Sequence, residues 1–196
     1  MIRFGKKAAI LTAAGALAAM SVTGCSGSIN TDAVVATVGD EDITLGVANF
    51  YARMTQGQYE TYYASMMGTT GEAMWTQEAG EDQTYEESVK DSLMENLQNM
   101  YLISQHAADY EVSLTEDEKD AISEAAEQFS EANTDEAKEV VSGYKKDVEK
   151  FLELATIQTK MDSKMREGVD GAESNEICIF LIYFHRRFGK FHNAFR

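Results

Sequence analysis

Side chains able to do covalent or acid–base chemistry are few and scattered in this sequence. Three histidines occur, His106, His185 and His192, with two cysteines, Cys25 and Cys178. Only His106 lies in the long acidic stretch that makes up most of the chain. One imidazole gives no nucleophile, base and orienting acid at argued spacing. There is no glycine-rich phosphate loop, and the His/Cys spacing of a structural zinc site is missing. The triplets Asp40-Glu41-Asp42 and Glu116-Asp117-Glu118 offer oxygens of the kind calcium takes but lack the ligand order of an EF-hand loop. Turn and capping duties explain them more simply. No catalytic residue, metal or cofactor is therefore expected.

The dense group of one chemical kind is apolar. Between Phe50 and Trp75, ten of 26 residues are aromatic or Met: Phe50, Tyr51, Met54, Tyr59, Tyr62, Tyr63, Met66, Met67, Met74 and Trp75. Met adapts its shape and is over-used on promiscuous binding surfaces. Tyr offers apolar area with a polar tip that tolerates water. Such side chains suit a surface that holds unfolded polypeptide, and Tyr59, Tyr62, Tyr63, Met66, Met67 and Trp75 are the candidates for it. The alternative is that most of them form the core, with Tyr59, Tyr62 and Tyr63 the ones expected to stay partly exposed.

Composition sets the frame for these elements. The 196 residues are 44% hydrophobic and 26% charged, with no proline and a formal net charge of −16. About 5% proline is usual, and its absence argues against a sandwich or barrel built on Pro/Gly turns. An all-helical body is the default. Two cysteines cannot staple a small secreted scaffold. Strong acidity speaks against nucleic acid, whose phosphates need a basic footprint. From Cys25 to Arg166 there are 29 acidic and 10 basic residues, so basic or unfolded chains would be weakly attracted over a screening length of about 8 Å. Simple solubility is the other reason for such a balance.

The first 24 residues read as an address. Arg3, Lys6 and Lys7 precede an uncharged run of thirteen residues from Ala8 to Met20, the pattern of a signal peptide. The run is shorter than the roughly twenty apolar residues of a membrane span. Val22-Thr23-Gly24-Cys25 resembles the bacterial lipobox, in which the cysteine thiol receives a diacylglycerol and becomes the mature N-terminus. Cys25 is thus the expected lipid attachment site, with residues 25–32 as linker and the body lipid-anchored at the extracytoplasmic face of the cell membrane. Two acyl chains hold where one binds only marginally. An ordinary signal peptide with a cysteine near its cleavage site is the alternative.

Periodicity places the body's elements. Val34 to Val38 and Glu41 to Thr44 flank the turn dipeptide Gly39-Asp40 and read as a hairpin. Thr44 caps a helix carrying Val47, Phe50, Tyr51 and Met54, weakened at Gly57. Tyr59, Tyr62, Tyr63, Met66 and Met67 then fall on one helical face. Gly68 to Gly71 and Gly80 to Gln83 punctuate loops around Trp75. Thr84 caps a long helix with Tyr85, Val89, Leu93, Leu97 and Tyr101 stepping by four, widened by Met100 and Leu102 and running to about Tyr110. Thr115 and Glu118 make a capping box before Ile122, Ala125, Ala126 and Phe129. A short helix from Asp135 carries Val140 and Val141. The last helix, about Lys145 to Arg166, aligns Phe151, Leu154, Met161 and Met165 in a seam that includes Gln158.

The run Val35-Ala36-Thr37-Val38-Gly39-Asp40-Glu41-Asp42-Ile43-Thr44, followed by Phe50, resembles the opening hairpin of the SurA and trigger-factor-like peptide-binding domain. Met74-Trp75, Gly80, Thr84-Tyr85, Leu93-Met94-Glu95, Leu114 to Lys119 and Thr156 to Met161 extend the resemblance to PrsA-type foldase lipoproteins of Gram-positive bacteria, over about residues 25 to 170. The resemblance implies a mostly α fold, with a short N-terminal β-hairpin followed by a helical chaperone lobe over residues 33–170. It implies binding of unfolded or newly secreted proteins, and a homodimer formed through the helical lobes. Family hairpins turn on Asn and Gly, whereas Gly39-Asp40 stands here. In that family a parvulin-type prolyl isomerase domain follows the helices. Only 26 residues follow Asp170, far fewer than the roughly 100 of a separate domain, and none spell the isomerase motif. Three functions are therefore carried forward: a chaperone lobe, a truncated fragment of a prolyl isomerase, and a solute-binding lipoprotein. The last needs alternating strands and helices that one hairpin does not supply. Truncation would leave a seam around Phe151, Leu154 and Met161 uncovered.

Residues 171–196 differ from the body. From Ile177 onward there are four bases, no acids and six aromatic residues in twenty. A membrane-lying basic segment, a partner-binding peptide and a wrong-frame translation compete for this stretch. His185 and His192 lie in it and are not expected to be ligands.

Overall fold

The computed structural model describes residues 29–80 and 82–167. The described residues are mostly α, 71% of them helical, behind a short N-terminal antiparallel hairpin. The hairpin comprises β1 (Val34–Val38) and β2 (Glu41–Thr44). Val38 pairs with Glu41, and a bulge lies between Val34 and Ala36. Gly39 takes φ +59° at the first turn position, the conformation a two-residue hairpin loop asks of a glycine. Two strands alone are marginal, and the hairpin leans on the helices. Gln105 Nε2 donates to the Val38 carbonyl at 2.6 Å, and Ile43 is fully buried.

The helices follow their caps. Thr44 accepts from the Val47 N–H and opens α1 (Leu45–Gln58). A π-helical turn (Tyr59–Tyr63), α2 (Ala64–Met66) and α3 (Gly71–Trp75) come next. A second, unforeseen hairpin, β3 (Glu78–Gly80) with β4 (Gln83–Thr84), turns through Asp82 at φ +61°. Thr84 and Glu87 form a reciprocal capping box at the start of α4 (Tyr85–His106). That helix ends in a 3-10 turn (Ala107–Tyr110) and a left-handed Glu111, so it stops short of Tyr110. Thr115 and Glu118 cap α5 (Glu116–Ala132) in the same way, and Thr134 caps α6 (Asp135–Val141). The last helix described is α7 (Lys145–Met165).

The core sits where α1, α4, α5 and α7 meet. Phe50 makes edge contacts with Phe129 at 5.4 Å and with Phe151 at 5.5 Å, and Tyr51 stacks on Phe151 at 5.2 Å. Leu97, Met100, Tyr101, Ile122, Ala126, Val148, Leu152 and Leu154 close around them. A smaller cluster of Ala107, Val112 and Met161 seals the far end of α4 against α7. Asn49 is buried on α1 and donates to the Val140 carbonyl at 3.0 Å and to Ser142 Oγ at 2.9 Å, which ties α1 to the end of α6. These two bonds satisfy an amide that would otherwise be costly inside the fold.

Three sequence expectations need correction. Phe151, Leu154 and Met161 are covered by the chain's own helices rather than left as an open seam. Met165 and Gln158, placed in that seam by heptad counting, face solvent; toward the end of α7 the buried contact narrows to the small cluster around Met161. Leu102 does not widen the buried stripe of α4 but is exposed, as is Val140 on α6.

Candidate functional site

The aromatic and Met residues between Phe50 and Trp75 divide into a buried base and an exposed crest. Phe50 and Met74 are fully buried, and Tyr51 and Met54 are half-buried against the core. Burial raises the Tyr51 hydroxyl above its ordinary pKa, and nearby Tyr59 adds to it. Tyr62, Met66 and Met67 are exposed at 61%, 70% and 46% of their surface. Large apolar side chains that open to water are the informative exception in a folded domain when they cluster.

The π-helical turn creates this split. The Ala64 N–H reaches back to the Tyr59 carbonyl, five residues away, and Thr61 Oγ1 donates to the Gly57 carbonyl at 2.6 Å. One extra residue in the turn rotates the downstream residues relative to the preceding helix, so half-buried Tyr59 does not share one continuous face with the exposed Tyr62, Met66 and Met67. Single π-turns of this kind occur often at functional positions.

Tyr59 turns inward to a three-ring cluster. Its ring stacks on Trp75 at 6.0 Å and tilts against Tyr85 at 6.0 Å, while Trp75 and Tyr85 lie 5.9 Å apart. The cluster joins the π-turn, α3 and the start of α4. Trp75 Nε1 donates to Glu60 Oε1 at 2.7 Å, Gln56 Nε2 donates to the same oxygen at 2.8 Å, and Arg53 Nη1 donates to Gln56 Oε1 at 2.8 Å. A Cβ at Gly71 would fall 2.9 Å from Glu60 Cγ, so glycine lets α3 approach the π-turn. Offset aromatic pairs contribute about 0.5–1.5 kcal/mol each beyond their area. The crest therefore stands on a braced base.

Acids predominate in the sequence around the crest, with Arg53 in the bracing network beneath it. From Met54 to Val89 the sequence holds seven acids and no Lys or Arg. Glu86 pairs with Lys90 just beyond this stretch, Glu87 is taken up by the Thr84 cap, and Glu72, Glu78 and Asp82 are exposed. The Thr84 backbone and hydroxyl bonds hold the Glu87 carboxyl below its usual range.

A second polar group is buried at the root of α1. Asp147 is 3% exposed and its Oδ2 has no hydrogen-bond partner. It lies against Gly46, where a Cβ would come 2.5 Å from its Cγ. Burial pushes its pKa up to about 6, with Lys146 opposing and Asp32 adding to the rise. Lys146 pairs with Asp32, and the Leu45 and Gly46 N–H groups donate to the Ala33 and Thr31 carbonyls. Nearby Tyr101 is pushed up to about 12 by burial, then by Glu41 and Asp147. This cluster serves the junction of the entering chain with α1 and α7.

Of the sequence candidates, Tyr62, Met66 and Met67 are exposed, whereas Tyr59 and Trp75 are half-buried and act as their support. Cys25, the signal segment 1–24 and residues 171–196 with His185 and His192 lie outside the described residues, as does the side chain of Tyr63. His106 is exposed and contacts Asp109 at 3.1 Å. Among the described residues no group of three His, Cys, Asp or Glu could hold a metal ion, and no helix is long and apolar enough to cross a membrane. The acidic triplets do other work: Glu41 pairs with Lys150, Asp42 accepts from Thr37, and Glu118 caps α5 while accepting from Lys160. Between α1 and α4, Tyr51, Ala52, Leu93 and Met94 help line a cavity of about 20 Å³, room for roughly one water, whereas small-molecule sites run to about 300–1,000 Å³. Comparison with known protein families, with curated proteins and with solved structures finds no match.

Proposed function

We propose that this chain is the polypeptide-binding lobe of a lipid-anchored extracytoplasmic chaperone. The carrying observation is the exposed crest of Tyr62, Met66 and Met67 on a braced aromatic base. Its occupant is an unfolded segment that is apolar and bears Lys or Arg, as newly secreted chains present before folding. Apolar side chains of the client bury against the thioethers and the Tyr ring, which adapt to sequences of no fixed shape. The surrounding acids meet client cations and repel acidic segments. Binding of this kind is reversible and involves no covalent step. The anchor at Cys25 rests on the lipobox-like sequence, and the resemblance to PrsA-type lipoproteins supports the same reading.

The test is aggregation of an unfolded, basic client followed by light scattering with the full chain and with a variant carrying Tyr62→Ser, Met66→Ser and Met67→Ser. The unsubstituted chain is expected to slow aggregation and the variant to lose most of that effect at an unchanged melting temperature. Full suppression by the folded variant, or none by the unsubstituted chain, overturns the assignment.

A further inference from the structure

The crest has a chemical property that its binding role does not need. Two of its three members are thioethers, and Met66 and Met67 are exposed at 70% and 46% of their surface. Met74, the next methionine in the chain, is fully buried, and Met100 and Met161 are 3% and 4% exposed. A thioether reacts with an oxygen-donating oxidant only where that oxidant reaches sulfur, and the product is a polar, chiral sulfoxide. Met66, Met67 and Met165 are thus reachable whereas Met74, Met100 and Met161 are protected, and the first two lie together in the stretch assigned to the client.

We propose that Met66 and Met67 are a paired oxidation site whose conversion to sulfoxide releases bound polypeptide and closes the crest to new clients. The inference rests on the binding function proposed above. The co-reactant is a peroxide. One oxygen atom passes to each sulfur, which loses two electrons and gains an S–O bond, while the peroxide O–O bond breaks and its remaining oxygen leaves as water with two protons. The two electrons for each transfer come from the Met66 or Met67 sulfur itself, and no other residue takes part. A sulfoxide oxygen is a strong acceptor with water on the open crest, and an apolar client would have to strip that water without replacing its hydrogen bonds. The fold itself is spared, because neither side chain belongs to the buried core, whose fully enclosed methionines Met100 and Met161 are shielded. Sulfoxide is reversible by reductases, so the chemistry switches rather than destroys.

The experiment treats the full chain with graded hydrogen peroxide. Peptide mass mapping locates the sulfoxide, and binding of a fluorescent Lys-bearing apolar peptide is measured before and after. Met66, Met67 and the comparably exposed but remote Met165 are expected to oxidise before Met74, Met100 and Met161. Peptide affinity is expected to fall by about tenfold or more, the loss of roughly one buried apolar side chain, and to return on treatment with methionine sulfoxide reductase. The variant Met66→Leu/Met67→Leu, whatever its starting affinity, is expected to keep that affinity through the same dose. Met165→Leu is expected to respond as the unsubstituted chain does. Undiminished affinity in a chain mapped as fully oxidised at Met66 and Met67, or an equal loss in the double leucine variant, overturns the inference and leaves the binding function standing. Absence of peptide binding before treatment overturns both.

Discussion

Replacing Asp147 by asparagine changes stability in a way that depends on pH, and the dependence can be worked out from the burial of one carboxyl. Asp147 titrates near 3.8 in the unfolded chain and about 6 when buried against Gly46. A raised folded pKa means that the native state binds the proton more tightly. The stability this confers is fully present below the unfolded value and is lost as pH rises through about 6. The whole excursion is worth about 3 kcal/mol, roughly 1.4 kcal/mol per unit of pKa. Around 2 kcal/mol of it falls between about pH 4.5 and pH 8. Asparagine has no proton to exchange in this range, so the variant should lack this contribution. Any steric or hydrogen-bonding penalty from the new amide is independent of pH and enters as a constant offset. The measurement is urea unfolding of the full chain and of Asp147→Asn across that pH range, with unfolding slopes compared to exclude a change in the unfolded state. From the acid to the alkaline end, the difference in unfolding free energy should move in favour of Asp147→Asn by about 2 kcal/mol. A flat difference, or one that moves the other way, would show that the unpartnered Oδ2 is solvated or held by the start of α1, and would refute the reasoning.

Two further substitutions test the joints of the fold. Gly46→Ala pushes a methyl onto the Asp147 carboxylate and is expected to cost about 2 kcal/mol or more. In the background of Asp147→Ala the same change is expected to cost far less, because the obstructing atoms are gone and Ala exceeds Gly by about 1 kcal/mol inside a helix. Equal losses in both backgrounds, read from thermal unfolding as a double-mutant cycle, would sink the steric account. Thr115→Ala removes the oxygen that accepts from the Glu118 N–H at 3.2 Å and is expected to cost about 1 kcal/mol, while Thr115→Ser retains the cap. Serine as destabilising as alanine would point to a lost methyl contact instead.

Regular elements are legible in the sequence wherever a local signal announces them. Thr44, Thr84 and Thr115 mark the starts of α1, α4 and α5 because a hydroxyl accepting from the third residue is a purely local arrangement. The Gly39-Asp40 turn likewise specifies its hairpin within a few residues. Features that depend on distant partners are not legible. The π-turn at Tyr59 has no local signature beyond the weak helix former Gly57, and it is held by Trp75 and Tyr85 from two later elements. The β3–β4 hairpin is too short to show alternation, and its left-handed Asp82 reads in sequence as an ordinary loop residue. At the candidate site, composition finds the right stretch of chain but cannot separate support from surface. Tyr59 and Tyr62 have the same side chain, and only the extra residue in the turn sends one into the ring cluster and the other into water. Asp147 resembles any acid in a helix's first turn, and its burial is set by its approach to Gly46, far away in the sequence.

The placement of α7 has a consequence for when this protein can fold. Residues 145–165 form the last helix described, yet α7 packs against α1, α4 and α5 and inserts Val148, Phe151, Leu152 and Leu154 among them. The earlier helices thus have apolar faces waiting for a partner that a ribosome makes late. Until that helix is available, Phe50 and Phe129 lack the ring that closes their cluster, and a domain of this size gains its stability in one cooperative step. Native packing of the core therefore waits until residues 145–165 are made. A polypeptide that cannot complete its core until α7 is made remains threadable up to that point, which is the state in which a chain must travel if it is to be exported before it folds.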